Sequence, residues 1–238
     1  MKTLIILHGW KSNSKRWQKV KQEIEKAGIN VIVPDLPGFE YGRSLSVAWD
    51  LDNYVAWLKN FSFDKGRFYL LGHSFGGRIA IKYAREYGRD LEGLVLVSAA
   101  GIKRRNRLLR FFESALLISI VKKFSFLPGY ESLRKLFYKG VLRKTDYVNV
   151  EGVLKETFKK IVKEDLTPLL SEIRVPTLIV WGDRDNMTPI GDGYLMVDKI
   201  PEAKIEVLKG ISHTPHIEVP EILAKKIIDF IKPPEFKI

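Results

Sequence analysis

Short, mostly apolar runs alternate along this chain with stretches whose apolar residues recur every three or four positions. The runs Thr3–Leu7, Asn30–Val33, Phe68–Leu71, Leu94–Val97, Thr177–Trp181 and Ile205–Leu208 predict six strands. Most of these strands are apolar on both faces. Between the first two, Lys15–Ala27 places Trp17, Val20, Ile24 and Ala27 on one helical face. Val47–Leu58 predicts a second helix, with Trp49, Tyr54, Ala56, Trp57 and Leu58 available for burial. Ile79, Ala80, Tyr83, Ala84 and Tyr87 repeat at helical spacing, and Gly88 is a natural stop. Pro220–Ile231 reads as the last helix, with Pro220 suited to its first turn and Pro233-Pro234 ending it. This alternation implies an α/β fold built on a mostly parallel, doubly wound sheet with helices on both faces.

The alternation stops between Ala100 and Leu170. That stretch is helical in pattern and basic, so residues 101–168 are expected to form a helical cap inserted after the fourth strand. Residues 1–100 and 169–238 then make the core. Phe111, Phe112, Leu116, Phe124 and Phe126 are candidates either to line a pocket under the cap or simply to pack it onto the core.

Composition narrows the chemistry. With 238 residues, 45% of them hydrophobic, one sizeable core is expected. The chain has no cysteine, which removes disulfides, thiol catalysis and cysteine-ligated metals. The apolar start at Met1–Leu7 is too short for a signal peptide, and no apolar run reaches 18 residues, so a cytoplasmic protein is expected. The net charge is +12, concentrated between Gly101 and Leu170, where 16 lysines and arginines face 7 acidic residues. The run Lys103-Arg104-Arg105-Asn106-Arg107, with Arg110, Lys122 and Lys123, suits a solvated face or a weak peripheral contact with anionic membrane. No recognised nucleic-acid module accompanies the charge, so no nucleic-acid partner is expected.

The candidate chemistry starts at Gly72-His73-Ser74-Phe75-Gly76, a G-x-S-x-G sequence set between a strand and a helix. The motif alone is common by chance; its strand–turn–helix context gives it weight. A sharp turn there exposes the Ser74 hydroxyl beside a helix N-terminus. A serine hydroxyl is a poor nucleophile at neutral pH, so it needs a base, and the base needs an orienting acid. In an open parallel sheet these groups lie on loops at the carboxyl ends of strands. Two such loops supply them: Gly182-Asp183-Arg184-Asp185 after the fifth strand and Ser212-His213-Thr214-Pro215-His216 after the sixth. Asp183 or Asp185 is then the acid, and His213 or His216 the base. His213 and His216 with Glu218 lie on a loop rather than a helix and lack a third histidine nearby, so no metal and no cofactor are expected.

These segments together resemble the α/β-hydrolase superfamily in its capped, single-domain form. His8-Gly9-Trp10 resembles the family's oxyanion loop. Asp35-Leu36-Pro37-Gly38-Phe39 resembles its D-x-P-G-x-G-x-S loop, with Glu40-Tyr41 inserted before Gly42-Arg43-Ser44. Gly182-Asp183-x-Asp185-x-x-x-Pro189 is similar to the acid loop, and Ser212-His213-x-x-His216-Ile217-Glu218-x-Pro220 to the histidine loop. The family's first two strands have no counterpart here. The resemblance implies Ser74 as nucleophile, His213 as general base and acid, and Asp185 as the orienting carboxylate. It also implies an oxyanion hole made by the backbone N–H groups of Trp10 and Phe75. His8 is expected to shape its loop through hydrogen bonds, and His73 to be a packed or hydrogen-bonded elbow residue that the mechanism does not require. The implied activity is hydrolysis of carboxylic esters with small to medium apolar acyl groups. Alternatives are carbon–carbon bond hydrolysis of vinylogous diketones, a monoacylglycerol or lysolipid lipase, and a ligand-binding receptor on a hydrolase scaffold.

Overall fold

The computed structural model describes residues 1–103 and 152–233. Its strands follow from the apolar runs, because side chains alternate across a strand and both faces must be covered. Strands β1 (Thr3–Leu7), β2 (Asn30–Ile32), β3 (Phe68–His73), β4 (Leu91–Val97), β5 (Thr177–Gly182) and β6 (Ala203–Leu208) form one sheet. The order is β2-β1-β3-β4-β5-β6, and every neighbouring pair is parallel. Ile5, Leu7, Leu70, Leu94, Leu96, Ile179 and Trp181 face one core. Their neighbours Leu4, Ile6, Tyr69, Leu71, Val95, Leu178 and Val180 face the other.

The described helices are α1 (Gln18–Lys26), α2 (Leu51–Phe61), α3 (Phe75–Tyr87), α4 (Gly152–Lys163), α5 (Ile190–Lys199), α6 (Pro215–Glu218) and α7 (Pro220–Ile231). Buried residues of α2, α3 and α5 (Leu51, Ile79, Met196) belong to the first core. Those of α1 and α7 (Val20, Ile24, Leu223, Ile227) belong to the second.

Two helices begin later than the apolar pattern implies. Ser14–Trp17 is a 3-10 turn, and the α-helix starts only at Gln18. The helix expected from Val47 starts at Leu51, because Asp50 and Asn53 form a capping box. The Asp50 carboxylate accepts from the Asn53 N–H at 3.1 Å, and the Asn53 side-chain oxygen accepts from the Asp50 N–H at 3.1 Å. Val47, left outside, is 64% exposed.

The described residues of the expected insertion are 101–103 and 152–168, with helix α4 among them; residues 104–151, which include the aromatic cap candidates and the basic ones other than Lys103, lie outside the described residues. Arg78 and Lys82 on α3 tie α4 to the core. Arg78 donates to the carbonyls of Ile161 at 2.7 Å and Glu164 at 2.5 Å, at the α4 C-terminus, where a cation suits the helix dipole. Lys82 pairs with Glu164 at 2.8 Å and Asp52 at 2.5 Å.

Candidate active site

The chain winds outward from β1 to β2, then crosses back to place β3 on the other side of β1. The crevice at the carboxyl ends of β1 and β3 is therefore a topological switch point, where open α/β sheets bind ligands. The segments His8–Trp10 and His73–Phe75 both end there.

Ser74 joins β3 to α3 with φ of 51° and ψ of −112°. A side chain at positive φ is strained, and here the strain lifts the hydroxyl out of the turn. The turn closes only because two neighbours lack a Cβ: one at Gly72 would strike the carbonyl of Gly76, and one at Gly76 would strike the carbonyls of Leu7 and His8. The Ser74 carbonyl accepts from the N–H groups of Gly77 and Ala100, both at 3.0 Å, which fixes the elbow from two sides.

The residues that the sequence scatters over three loops meet here. His213 Nε2 lies 2.9 Å from Ser74 Oγ, and His213 Nδ1 lies 2.8 Å from Asp185 Oδ2. The carboxylate can only accept, so Nδ1 carries the proton and Nε2 faces the serine as acceptor. The side chain of Asp185 is fully buried, and that of His213 is 11% exposed. Burial pushes the Asp185 carboxyl up, but hydrogen bonds from His213 and Thr188 outweigh it and hold the group below the usual carboxylate range. Its Oδ1 accepts from the N–H groups of Met187 at 2.8 Å and Thr188 at 2.9 Å.

The rival assignments have other partners. Asp183 is exposed and accepts from the Gly210 N–H at 2.7 Å, bracing the acid loop against the histidine loop. His216 stacks on Trp17, with ring centroids 4.3 Å apart and planes 3° from parallel, so it packs behind His213. Glu218 accepts from the Ser212 N–H at 3.0 Å and hydroxyl at 2.5 Å, and from the Thr214 hydroxyl at 3.0 Å, bracketing His213. Among the described residues no group of three histidines or acids is arranged to hold a metal ion.

The expected oxyanion loop lies against the elbow. A Cβ at Gly9 would sit 3.4 Å from Ser74 Cβ, and the rings of Trp10 and Phe75 meet edge to face at 5.3 Å. Phe75 opens α3, so its N–H has no acceptor within the helix. The His8 ring spans the loop: Nε2 accepts from the Leu36 N–H at 3.0 Å, so Nδ1 donates to the Gly9 carbonyl at 2.9 Å. Burial lowers the His8 pKa, so the ring stays neutral. Trp10 also packs on Phe39 at 4.9 Å and Phe158 of α4 at 5.0 Å, which makes an aromatic wall beside the site.

Sequence reasoning assigned no role to Thr188. Its hydroxyl lies 2.7 Å from Asp185 Oδ2, 3.1 Å from the Ser98 carbonyl and 3.2 Å from His213 Nδ1. The available signal was its spacing. A carboxylate often bonds main-chain N–H groups two and three residues on, which puts residue 188 within reach of Asp185.

Comparison with known proteins bears on the fold. A model of the alpha/beta hydrolase fold family matches residues 2–220. Human monoacylglycerol lipase ABHD6 is 27% identical over 256 residues, covering 96% of this chain and 75% of that protein. The 2-hydroxy-6-oxononadienedioate/2-hydroxy-6-oxononatrienedioate hydrolase of Escherichia coli (strain K12 / DH10B) is 25% identical, covering 98% of this chain and 88% of that one. Among solved structures, a bacterial membrane phospholipase A superposes with a TM-score of 0.72 at 23% identity, covering 97% of this chain and 78% of that one. The sheet order, the strained serine and the family match lead to one conclusion: this chain belongs to the α/β-hydrolase fold family.

Proposed function

We propose that the protein is a serine hydrolase that cleaves carboxylic esters of small to medium apolar acyl groups through an acyl-enzyme. The observation that carries this reading is the unbroken line from Ser74 Oγ through His213 to the buried Asp185 carboxylate, with steps of 2.9 and 2.8 Å. In this reading Ser74 attacks the ester carbonyl while His213 Nε2 takes its proton. Asp185 holds the ring in the productive tautomer and stabilises the imidazolium. The N–H groups of Trp10 and Phe75 receive the oxyanion, each such donor contributing about 3–4 kcal/mol in the transition state. The imidazolium then protonates the leaving alcohol, and water, activated by the same ring, releases the acid. Support for an apolar acyl group comes from the aromatic wall of Trp10, Phe39, Phe75 and Phe158.

A monoacylglycerol substrate is a second reading, supported by the similarity to ABHD6, and cleavage of a carbon–carbon bond is a third, supported by the Escherichia coli relative. A receptor on this scaffold would need no such Ser–His–Asp line. Ser74→Ala tests the proposal: the folded variant is expected to lose turnover of p-nitrophenyl acetate and butyrate, and retained turnover removes Ser74 from its role. A rate series over acyl chain length, with a monoacylglycerol and a dienoate diketone alongside, separates the three readings. Peripheral contact of the basic cap with anionic lipid is a further proposal, tested by co-sedimentation with anionic vesicles. No helix among the described residues is long and apolar enough to cross a membrane.

A further inference from the structure

We propose that His73, the residue before the nucleophile, is a positioning residue that holds the general base in place through the main chain of His213. The inference rests on the serine-hydrolase reading of Ser74 and His213.

The His73 ring lies 2.9 Å, through Nε2, from the carbonyl oxygen of His213, a contact that spans 140 residues of sequence. A carbonyl only accepts, so Nε2 carries the ring proton and donates. The other ring nitrogen then has a bare lone pair. It faces Gly9, where an added Cβ would stand 3.0 Å from Nδ1, and it is buried with no hydrogen-bond partner among the described residues. Leaving such an atom buried and unpaired is costly, and a phenylalanine or leucine would fill the space without that cost. What a histidine adds is the single N–H aimed at His213.

The base loop needs such a hold. It follows β6, an edge strand paired only with β5 and half exposed along most of its length. His73 ends β3, an interior strand pinned between β1 and β4, and is itself in register with Val97. The bond therefore carries the rigidity of the sheet centre to a loop at its edge. Other ties grip the flanks of that loop: Glu218 holds Ser212 and Thr214, and the Arg184 N–H donates to the Ile211 carbonyl at 3.0 Å. His73 holds the peptide of the base itself. Its ring is packed by Trp17, His213 and His216 at 5.8, 5.1 and 4.6 Å. Burial, reinforced by the facing imidazoles, keeps it uncharged, so no fixed cation opposes His213 as that ring takes up a proton.

The test compares His73→Gln, whose terminal amide N–H reaches the position of Nε2, with His73→Met, similar in shape but without a donor. Turnover of p-nitrophenyl butyrate is measured beside the thermal midpoint. For His73→Met, kcat is expected to fall roughly 10- to 100-fold with KM changed less than about twofold, the signature of a displaced base. His73→Gln is expected to recover most of that loss at a similar thermal midpoint. Equal kcat values in the two folded variants overturn the inference, as does a loss carried by KM. Nitrogen-15 NMR of the wild-type histidine rings gives a readout independent of folding in the variants. At pH 7, His73 is expected to carry its proton on Nε2 alone, and a proton on Nδ1 overturns the inference. Labelling of wild-type Ser74 by a fluorophosphonate checks the underlying reading separately. If Ser74 fails to label, the hydrolase reading falls; if it labels and the two variants match, only the role of His73 falls.

Discussion

The Asp183 carboxylate accepts a hydrogen bond from the Gly210 N–H at 2.7 Å, while Asp185, two residues on, faces His213 Nδ1 at 2.8 Å. Neighbouring acids on one loop thus have different partners, and in the proposed hydrolase reading one braces the loop while the other orients the base.

That division predicts opposite outcomes for two matched substitutions. Asp185→Asn keeps the shape but presents an amide to the imidazole, favouring the wrong tautomer, and kcat is expected to fall by about 10⁴. Asp183→Asn removes one exposed charge-assisted bond, so it is expected to cost about 1 kcal/mol of stability and to leave kcat nearly unchanged. Steady-state kinetics with denaturant unfolding distinguishes them, and a kcat loss at Asp183 equal to that at Asp185 contradicts the assignment.

Thr188→Val tests the support beneath the acid. The substitution keeps the volume and removes the hydroxyl that lies 2.7 Å from Asp185 Oδ2 and 3.1 Å from the Ser98 carbonyl. With one donor gone from a buried carboxylate, stability is expected to drop by about 2 kcal/mol. The carboxylate is then free to turn, and kcat is expected to fall about tenfold. Unchanged kinetics show that the main-chain N–H groups of Met187 and Thr188 fix Asp185 unaided.

Buried histidines behind the site predict how stability depends on pH. Burial, with help from the neighbouring His213 and Arg16, pushes the His216 pKa down to about 3. In the unfolded chain a histidine titrates near about 6.5. Between those two values the unfolded state binds a proton that the folded state refuses. Stability from this group is complete above about 6.5 and declines as the pH falls, by about 1.4 kcal/mol per unit. The lowered pKa values of His8 and His73 act with the same sign. His216→Leu removes one of the three contributions. From pH 7.5 to 5.0 the wild type is expected to lose about 2 kcal/mol more than the variant, read from urea unfolding. Parallel losses in both mean that His216 accepts its proton while folded.

The sheet was legible because its interior strands bury both faces and therefore carry nearly continuous apolar runs. The elbow was legible because close backbone approaches at Gly72 and Gly76 leave an imprint in composition. Helix α5 left a weaker one. It contains Gly191 and Gly193, which blur its apolar period, and Gly193 is there because a Cβ would press on the Trp181 ring at 2.9 Å. The late start of α2 depends on a reciprocal bond between Asp50 and Asn53, which overrides the apolar residues before it. Among site residues, Ser74, Asp185 and His213 showed through motif and chain order. Thr188 and His73 did not: the Thr188 hydroxyl reaches Asp185 and the Ser98 carbonyl, the His73 ring reaches the His213 carbonyl, and a main-chain carbonyl distant in sequence is carried by any residue.

The positive φ at Ser74 has a consequence for how this chain responds to selection. Glycine adopts that conformation without steric strain, so Ser74→Gly is expected to fold at least as well as the parent while lacking the hydroxyl that the proposed reading makes the nucleophile. At this one Cα, durability and chemistry compete. A library of variants screened for heat resistance alone would drift away from serine, whereas a screen that also demands turnover would keep it.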